Sequence, residues 1–350
     1  MSLNPTPVEL RSDTFTKPSE AMLQAMFAAQ VGDDVFGEDV TVNALERSVA
    51  DFFGMEAGLF CPSGTMTNQI AIQVHTQPGD EVICDGDEVI CEAGSHVYFY
   101  EGGGIAKNSG VQVRLVQGSF GQITADQILP LINPDDVHRA RTRLVSLENT
   151  CNRGGGSCYN LAEIAKIRSL CDAHGLGLHL DGARLMNAIV ANQENPKEYG
   201  KMFHSISLCL SKGLGAPIGS VLLGDAAFIK QSRRVRKVMG GGMRQAGYLA
   251  AAGLFAMENN INRLAEDHAH AKLLASALAS CNWVGEIFPV ETNIVIFEVA
   301  SPRTVAETVA ALSAQNIRVS AMSDKHIRMV THLDVTPEMV QRTIEVLQNI

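Results

Sequence analysis

The sequence lacks the usual marks of a nucleic-acid-binding, secreted or membrane protein. Its 350 residues hold 28 Lys and Arg against 38 Asp and Glu, a formal net charge of -10 at pH 7. A chain this acidic is a poor candidate for binding nucleic acid or an anionic membrane surface. No basic segment followed by an apolar run opens the chain, so no signal peptide is predicted. The longest weakly polar stretch, residues 246–257, is about half the length of a bilayer-spanning helix.

Motifs that depend on cysteine or glycine spacing are also absent. No two of the eight cysteines have the CxxC spacing of a metal or redox site. The chain has neither a Walker phosphate loop nor the GxGxxG fingerprint of a dinucleotide-binding protein. We therefore expect no metal, and we expect the cysteines to be reduced in a cytoplasmic protein.

Short apolar runs alternate with helical patterns through most of the chain. Several runs are rich in aliphatic residues, as strands covered on both faces are. This alternation predicts a mainly parallel α/β sheet. The predicted strands are Ala57–Cys61, Glu81–Asp85, Gln112–Val116, Arg143–Glu148, Leu176–Asp181, Ser205–Leu210 and Gly219–Leu223.

One helix has signals at both ends. Asn160 is a good N-cap residue, Glu163 stands three residues later, and Gly175 is a suitable C-terminal stop. The spacing predicts a helix over residues 160–174.

The pattern changes near residue 250, where strands and helices mix and predict a smaller α+β domain. We expect residues 1–250 to form an N-terminal arm and a large domain, and residues 251–350 a small C-terminal domain. The elements behind this division are a long helical region at 244–281, apolar runs at 290–300 and 327–332, a helix at about 303–315 and a terminal helix from about 337.

Lys212 is the first candidate catalytic residue. It follows a predicted strand in the sequence ISLCLSKGLGAPIG and begins a glycine-rich turn. A lysine at a strand end is costly to bury unless its charge is used or neutralised. One use is a Schiff base with a cofactor aldehyde, which requires an amine that gives up its proton easily. The alternative is an exposed lysine on a loop.

Asp181 and Arg184 lie in the sequence HLDGAR. An aspartate at the carboxyl end of a buried parallel strand points into the crevice where α/β proteins bind ligands. A pyridoxal-phosphate (PLP) enzyme needs an acid there to keep the pyridine nitrogen protonated. Arg184 is then a candidate ligand of the phenolic oxygen or the phosphate. The alternative is that Asp181 caps the next helix and pairs with Arg184.

Ser63, Gly64 and Thr65 occupy the segment CPSGTM, between a predicted strand and a helical run. Small residues at a helix N-terminus expose backbone N–H groups to an anion, and the helix dipole adds to the attraction. We expect these residues to hold a phosphate. The alternative is an ordinary tight connection.

These features are more informative together than singly. The order of these features resembles the aspartate-aminotransferase-like PLP enzymes of fold type I. A phosphate cup at residues 63–65 comes first, then the strand-end aspartate, and then the lysine 31 residues after the aspartate. Longer segments, in order along almost the whole chain, resemble the low-specificity L-threonine aldolase family. They are LRSDTFTKPS (10–19), VGDDVFGED (31–39), CPSGTMTNQ (61–69), GDEVI (79–83), LENTCNRGGG (147–156), HLDGAR (179–184), LSKGLGAPIGS (210–220), GGGMRQAG (240–247) and IRMVTHLDVT (327–336).

The resemblance implies a fold class, a cofactor and a reaction. The implied fold is α/β, with a PLP-dependent transferase-like large domain and a smaller C-terminal α+β domain. The implied reaction is retro-aldol cleavage of the Cα–Cβ bond of PLP-bound L-threonine or L-allo-threonine, which yields glycine and acetaldehyde. Members of the family are usually homotetramers with active sites at dimer interfaces.

The resemblance also implies roles for single residues. In that family, a histidine in a segment like GSHVYFYEGGG stacks on the cofactor ring, which implies this role for His96. A second histidine near the substrate hydroxyl matches His138. A neutral imidazole suits removal of the hydroxyl proton near pH 7, so either histidine is a candidate base. Ser12 and Arg328 match the clamp on the substrate carboxylate, which arginine grips through two parallel hydrogen bonds.

Arg244 lies in GGGMRQAG, a segment that is near a subunit boundary in relatives. The resemblance implies that it helps to bind phosphate or substrate from a neighbouring chain. Two departures are visible: Cys151 stands where relatives commonly have His, and Arg139 where they often have an aromatic residue. The change at Cys151 bears on substrate preference, the change at Arg139 bears on the mouth of the pocket, and neither touches the cofactor residues.

Two other functions stay open on these motifs. Other PLP reactions, such as β-elimination or transamination, use the same cofactor residues. Acetaldehyde with glycine would identify the aldolase, and a keto acid with ammonia would identify elimination. The second is a non-catalytic cofactor-binding or scaffold protein, which would not need the lysine, the aspartate, both histidines and the carboxylate arginine that this chain has.

Overall fold

Strands and helices alternate along residues 6–77 and 87–350, which this computed structural model describes. The strands are β1 (Val8–Glu9), β2 (Ala57–Cys61), β3 (Glu88–Glu92), β4 (Gln112–Val116), β5 (Thr142–Glu148), β6 (Gly177–Gly182), β7 (Ser205–Cys209), β8 (Ser220–Gly224), β9 (Val284–Ile287), β10 (Ile294–Val299), β11 (Ile317–Arg318), β12 (Ser320–Ala321) and β13 (His326–Val330). The α-helices are α1 (Glu20–Phe27), α2 (Val40–Phe53), α3 (Gly64–His75), α4 (His96–Phe99), α5 (Ala125–Ile128), α6 (Leu161–His174), α7 (Leu185–Asn192), α8 (Pro196–Met202), α9 (Ala226–Val238), α10 (Gly247–Asn259), α11 (Leu264–Leu278), α12 (Val305–Ala314) and α13 (Pro337–Asn349). Shorter 3₁₀ turns lie at Asp13–Phe15, Asp34–Phe36 and Leu129–Leu131, and a π-helical turn at Ile105–Ser109.

Seven strands form the large sheet, in the order β2-β8-β7-β6-β5-β3-β4. All the neighbouring pairs from β7 to β4 are parallel, whereas β8 runs antiparallel to both β7 and β2. The prediction of a mainly parallel sheet is confirmed. Because the carboxyl ends of β5, β6 and β7 meet at one edge, the segments that follow these strands lie side by side.

The sequence pattern located six of these strands to within one residue at each end. The exception is the strand that lies between β5 and β4 in the sheet. The letters DEVIC occur twice, at 80–84 and 87–91, and local pattern cannot choose between two copies of one sequence. The second copy forms β3, which the sequence analysis missed, and the predicted strand Glu81–Asp85 lies outside the described residues.

The predicted helix over 160–174 is confirmed as α6. Asn160 caps it by accepting a hydrogen bond from the backbone of Ala162 at 2.8 Å, and Gly175 ends it in the left-handed conformation. Glu163 does not complete a capping box. It accepts instead from the backbone N–H of Ala125 at 2.9 Å and so joins α6 to α5.

The smaller part of the molecule has its own sheet, in the order β12-β13-β10-β9, and its neighbouring strands are antiparallel. The single helical region expected over 244–281 is two helices, α10 and α11, separated by a turn. Strand β1 pairs with β11, so the N-terminal arm crosses to this part of the molecule. The domain boundary at residue 250 stays a prediction.

Two large hydrophobic clusters correspond to the two sheets. One surrounds the large sheet and extends into α10, and the other packs α11, α12 and α13 against the small sheet. Seven cysteines of the described residues are unpaired, and the eighth, Cys84, lies outside those residues. Within the described ranges, none of the helices combines the length and the apolar character needed to cross a bilayer.

Candidate active site

A cavity of about 310 Å³ lies between the large sheet, the small sheet and the N-terminal arm. The large part of the molecule contributes residues at strand ends, the small sheet contributes Arg328 from β13, and the arm contributes Ser12. The polar side chains that line it include Ser12, His96, Asn152, Arg184, Lys212 and Arg328. The structure therefore brings together five of the residues selected from the sequence, and adds Asn152.

Lys212 reaches this cavity from the turn after β7. Its backbone carbonyl accepts hydrogen bonds from Gly215 N at 2.8 Å and from Thr16 Oγ1 at 3.1 Å. Gly215 has a φ of +78°, which an L side chain adopts only with strain. The glycine allows the tight turn, and Thr16 ties that turn to the N-terminal arm, so the lysine side chain is directed into the cavity.

Asp181 ends β6 and is buried beside helix α3. One carboxylate oxygen accepts from Asn68 Nδ2 at 3.0 Å, and the other accepts from Ala183 N at 3.1 Å. The carboxylate is therefore held from two sides. Sequence analysis left open that Asp181 pairs with Arg184, but Arg184 binds a different carboxylate.

His96 opens α4 and faces two carboxylates. Its Nδ1 lies 3.2 Å from Glu101 Oε1, and ligand-capable atoms of His96, Glu101 and Asp181 lie within 4.8 Å of one another. Burial acts against protonation of the ring, but the hydrogen bond to Glu101 and the negative charge of Asp181 outweigh it and raise the pKa of His96. The positive charge of Lys212 acts on the same imidazole in the opposite direction. The charges of Asp181 and Lys212 therefore both influence the protonation of the His96 imidazole.

Glu148, at the end of β5, fixes the backbone around His96. Its carboxylate accepts from His96 N at 2.7 Å and from Asn152 N at 2.8 Å. Burial and the neighbouring charge of Asp181 raise the pKa of Glu148 above its usual range. One buried carboxyl group thus connects the two loops that carry His96 and Asn152.

Arg184 and Asp13 form a buried, bidentate ion pair. Both contacts, from Arg184 Nε and Nη2 to the two carboxylate oxygens, measure 2.7 Å. Burial alone would raise the pKa of Asp13, but the charge and hydrogen bonds of Arg184 and the charge of Lys212 lower it to about 2. The guanidinium expected to bind the cofactor is therefore anchored to the N-terminal arm, and its role as a cofactor ligand stays a prediction.

Arg328 is held so that part of its guanidinium is left for a ligand. Nη1 donates to Asn152 Oδ1 at 2.8 Å and Nη2 donates to the carbonyl of Arg11 at 3.1 Å. The buried Nε has no partner among the residues that the structure describes. Burial and, to a smaller extent, the nearby charge of Arg184 lower the pKa of Arg328. Arg184, Lys212 and Arg328 all line the cavity, so an anion would be attracted to it.

The N-terminus of α3 is the expected phosphate cup. Ser63 is its N-cap, and the side chain accepts from Met66 N at 3.2 Å. A Cβ placed on Gly64 would lie 3.4 Å from Ser220 Oγ, a buried hydroxyl with no hydrogen-bond partner in the described part of the chain. An unpaired donor beside a helix N-terminus fits a bound anion. Because Gly64 and Asn68 are one turn apart on α3, the same helix serves the expected phosphate and the carboxylate of Asp181.

Six of the selected residues do not line this cavity. Asp181 lies next to His96, and Ser63, Gly64 and Thr65 lie at the N-terminus of α3. The other two are on the exposed surface. His138 is exposed on the loop before β5 and bonds to Asp136, with 2.9 Å between His138 Nδ1 and Asp136 Oδ1. Arg244 is also exposed and pairs with Asp33 at 2.8 Å. Within one chain the structure does not bring either residue to Lys212, so both roles stay predictions.

The two departures from the family pattern are also away from the cavity lining. Cys151 is buried, and its thiol donates to the carbonyl of Glu148 at 3.1 Å. Burial raises the pKa of this thiol well above its ordinary value, so it remains neutral. Arg139 is exposed next to His138.

Known proteins are similar to this chain over most of its length. The family model for beta-eliminating lyases matches residues 9–302. A low specificity L-threonine aldolase of Escherichia coli strain K12 is 41% identical over 338 residues, which cover 95% of this chain and 96% of the relative. The chain belongs to the threonine aldolase family. The resemblance read from the sequence motifs is therefore confirmed.

Solved structures of threonine aldolase type share the fold. A threonine aldolase of Leishmania major matches with a TM-score of 0.84 at 21% identity, over 98% of this chain and 99% of that chain. A structure of SPT with a PLP internal aldimine matches with a TM-score of 0.72 at 16% identity, over 98% of this chain and 87% of that chain. The predicted fold class, that of the fold type I PLP enzymes, is thereby confirmed.

Sequence analysis missed several polar residues of the site. Asp13, Asn68 and Asn152 all lie inside motifs that were quoted for the resemblance, yet none was given a role. Glu101 also lies close to a selected residue, five positions after His96. Asp13, Asn68 and Glu101 each lie within five positions of a candidate, but local pattern alone does not separate such a polar residue from an ordinary one. Asn152 has no candidate close to it in the sequence.

Proposed function

We propose that this protein is a PLP-dependent aldehyde-lyase that cleaves L-threonine and L-allo-threonine to glycine and acetaldehyde. The observation that carries the proposal is that the Lys212 amine, the His96 imidazole and the Arg328 guanidinium line one cavity. Membership of the threonine aldolase family supports the reaction class. The relative at 41% identity, a low specificity L-threonine aldolase, supports the substrate.

The residues around the cavity fit PLP. Lys212 would hold its aldehyde carbon, Asp181 its pyridine nitrogen, and the N-terminus of α3 at Ser63, Gly64 and Thr65 its phosphate. His96 would pack on the ring. When bound, PLP withdraws electrons from Cα of the amino acid and weakens the bond that stands perpendicular to the ring.

Arg328 and Ser12 orient the substrate. The guanidinium grips the carboxylate, and its own orientation is fixed by Asn152 and by the carbonyl of Arg11. A fixed carboxylate lets the protein hold Cα–Cβ, rather than Cα–H, perpendicular to the ring. Positioning of this kind contributes substantially to lowering a reaction barrier.

His96 is the base that the geometry favours. Glu101 accepts the hydrogen of Nδ1, which leaves Nε2 as the acceptor for the β-hydroxyl proton. The hydrogen bond to Glu101 and the charge of Asp181, which raise the pKa of His96, stabilise the imidazolium that forms when the proton moves. His138 is the alternative base, and it would have to act from a position that this chain alone does not bring to the cavity.

The direct test is product analysis with all four stereoisomers of threonine. We expect L-threonine and L-allo-threonine each to be cleaved to glycine and acetaldehyde, with the two products formed in equimolar amounts. The D-isomers should give neither product. A keto acid with ammonia in place of acetaldehyde would show the second candidate, β-elimination, which the description of the matching family model favours.

Assembly and location are part of the same proposal. We expect a cytoplasmic homotetramer with active sites at dimer interfaces, as the family resemblance implies. An interface of that kind would let His138 and Arg244 serve the cavity of a neighbouring chain.

A further inference from the structure

A chain of hydrogen bonds runs from the partly exposed imidazole of His75 to the carboxylate of Asp181. His75 Nε2 lies 2.7 Å from Ser205 Oγ, which lies 2.8 Å from His179 Nδ1. His179 Nε2 lies 3.1 Å from Asn68 Oδ1, and Asn68 Nδ2 lies 3.0 Å from Asp181 Oδ2. The four inner residues are each at most 3% exposed. This chain therefore lies in the core, and none of the steps above uses it.

Two carboxylates fix the direction of the Asn68 amide. Asn68 Nδ2 lies 3.0 Å from Asp181 Oδ2 and also 3.0 Å from Glu101 Oε1. Ionised carboxylates only accept hydrogen bonds, so the NH2 end of the amide must face them. The amide oxygen then faces His179 Nε2, which must carry a hydrogen.

The two histidines extend this direction through the core. Burial lowers the pKa of His179 to about 3 and that of His75 to about 4, so both rings are neutral at pH 7. With its hydrogen on Nε2, His179 accepts at Nδ1 from the hydroxyl of Ser205, whose oxygen accepts from His75 Nε2. Every donor in the chain therefore points toward Asp181, and the aligned dipoles favour its negative charge.

We propose that Asn68 and His179 are positioning residues that keep the Asp181 carboxylate ionised and directed at the pyridine nitrogen of PLP. The inference rests on the proposed function, because it takes Asp181 as the partner of that nitrogen. Asn68 acts on Asp181 directly. His179 acts through Asn68, since its N–H stops the amide from turning its oxygen toward the carboxylates.

Two substitutions at His179 separate this role from packing. Glutamine can place its side-chain N–H near the position of the imidazole Nε2–H, whereas asparagine places its own near Nδ1. His179→Gln should keep the hydrogen bond to Asn68, and His179→Asn should lose it, although each replaces a buried imidazole with an amide. Asn68→Leu, of similar size, removes the donor to Asp181 and repeats the test at a second residue should His179→Asn fail to fold.

The measurement is made on holoenzyme reconstituted with PLP labelled with 15N at the ring nitrogen. The NMR shift of that nitrogen, followed against pH, reports whether it carries a proton, and the visible absorbance of the bound cofactor gives a second record. We expect wild type and His179→Gln to titrate alike. In His179→Asn and Asn68→Leu the proton should be held about tenfold more weakly, as loss of a hydrogen bond to a charged group predicts. Equal changes in His179→Gln and His179→Asn would overturn the proposal, because lost packing affects both.

Asp181→Asn distinguishes failure of this inference from failure of the proposed function. If the nitrogen stays protonated in Asp181→Asn, Asp181 is not its partner, and both proposals are wrong on that point. If Asp181→Asn loses the proton while His179→Asn and Asn68→Leu titrate like wild type, the proposed function stands and the positioning role is wrong.

Discussion

Loss of the Asp13 carboxylate should lower the stability of the protein markedly. Asp13→Asn leaves the buried guanidinium of Arg184 without its countercharge, and breaking a buried pair in this way costs about 3 kcal/mol or more. The check is urea unfolding at one fixed protein concentration. Asp33→Asn is a matched control, because that carboxylate lies in an exposed pair with Arg244 and asparagine retains its capping role. Similar midpoints for the two variants would contradict the buried pair.

The same carboxylate predicts how stability depends on pH. Since the pKa of Asp13 is lowered to about 2, its contribution is present above its unfolded pKa near 4 and is lost as the pH falls through the folded value. The contribution is about 2 kcal/mol. Unfolding free energies measured from pH 6 down to acid should therefore fall less steeply in Asp13→Asn than in wild type. If the unfolding free energies of wild type and Asp13→Asn fell equally steeply with pH, the pKa of Asp13 would not be lowered in the folded protein.

Arg328 should set substrate affinity. Arg328→Lys keeps the charge but cannot make two parallel hydrogen bonds, so we expect kcat/KM to fall about thirtyfold, mainly through KM. Arg318→Lys is the control, because Arg318 is half-exposed on β11 and faces Glu9 rather than the cavity. Steady-state kinetics with L-threonine check both variants. An unchanged KM in Arg328→Lys would show that Arg328 does not bind the substrate carboxylate.

At the scale of elements, the glycine loop 154–156 follows Asn152 and packs against the small sheet, where Thr292 Oγ1 donates to the carbonyl of Gly156 at 2.9 Å. Gly156 has a φ of +77°, and a Cβ there would lie 2.5 Å from Thr292 Oγ1. Gly103 has a φ of +72° with nothing within 4 Å of its Cβ position. Gly156→Ala should therefore destabilise the protein by about 2 kcal/mol more than Gly103→Ala does, and should also raise KM by moving Asn152 away from Arg328. If Gly156→Ala and Gly103→Ala changed the unfolding free energy and KM equally, only the positive φ would matter, and the close contact with Thr292 would have no effect.

Local pattern predicted the elements that have local causes. Aliphatic runs gave six strands, and Asn160 with Gly175 gave α6, because periodicity and end signals lie within the element itself. Local pattern failed where contacts with residues distant in the sequence decide the structure. The two copies of DEVIC differ only in their surroundings, and Glu163 binds Ala125 of another helix instead of its own cap.

The site follows the same rule at the scale of the whole molecule. The placement of Asp181 and Lys212 close to the ends of neighbouring strands was predictable, because strand ends of a parallel sheet meet at one edge. The partner of Arg184 was not, because Asp13 is 171 positions away and reaches the site only after β1 pairs with β11. His138 and Arg244 were selected by motif matching, which does not show where the fold places a side chain, and both lie outside the cavity of one chain.

Assembly makes a prediction that single variants cannot test. If Arg244 serves the cavity of a neighbouring chain, Lys212→Ala and Arg244→Ala are each impaired, but mixed oligomers contain some sites with both residues intact. Co-expression of the two variants should therefore restore part of the threonine cleavage activity. Activity no higher than the average of the separate variants would place Arg244 outside a shared site.

The most direct measurement of the central claim is to locate the cofactor on the chain. Holoenzyme is treated with borohydride, which reduces a C=N bond between PLP and a lysine to a stable amine, and the digested protein is examined by mass spectrometry. We predict one phosphopyridoxyl group, on the peptide that contains Lys212, and its absence in Lys212→Ala. A modified peptide from any other lysine, with Lys212 unmodified, would contradict the account.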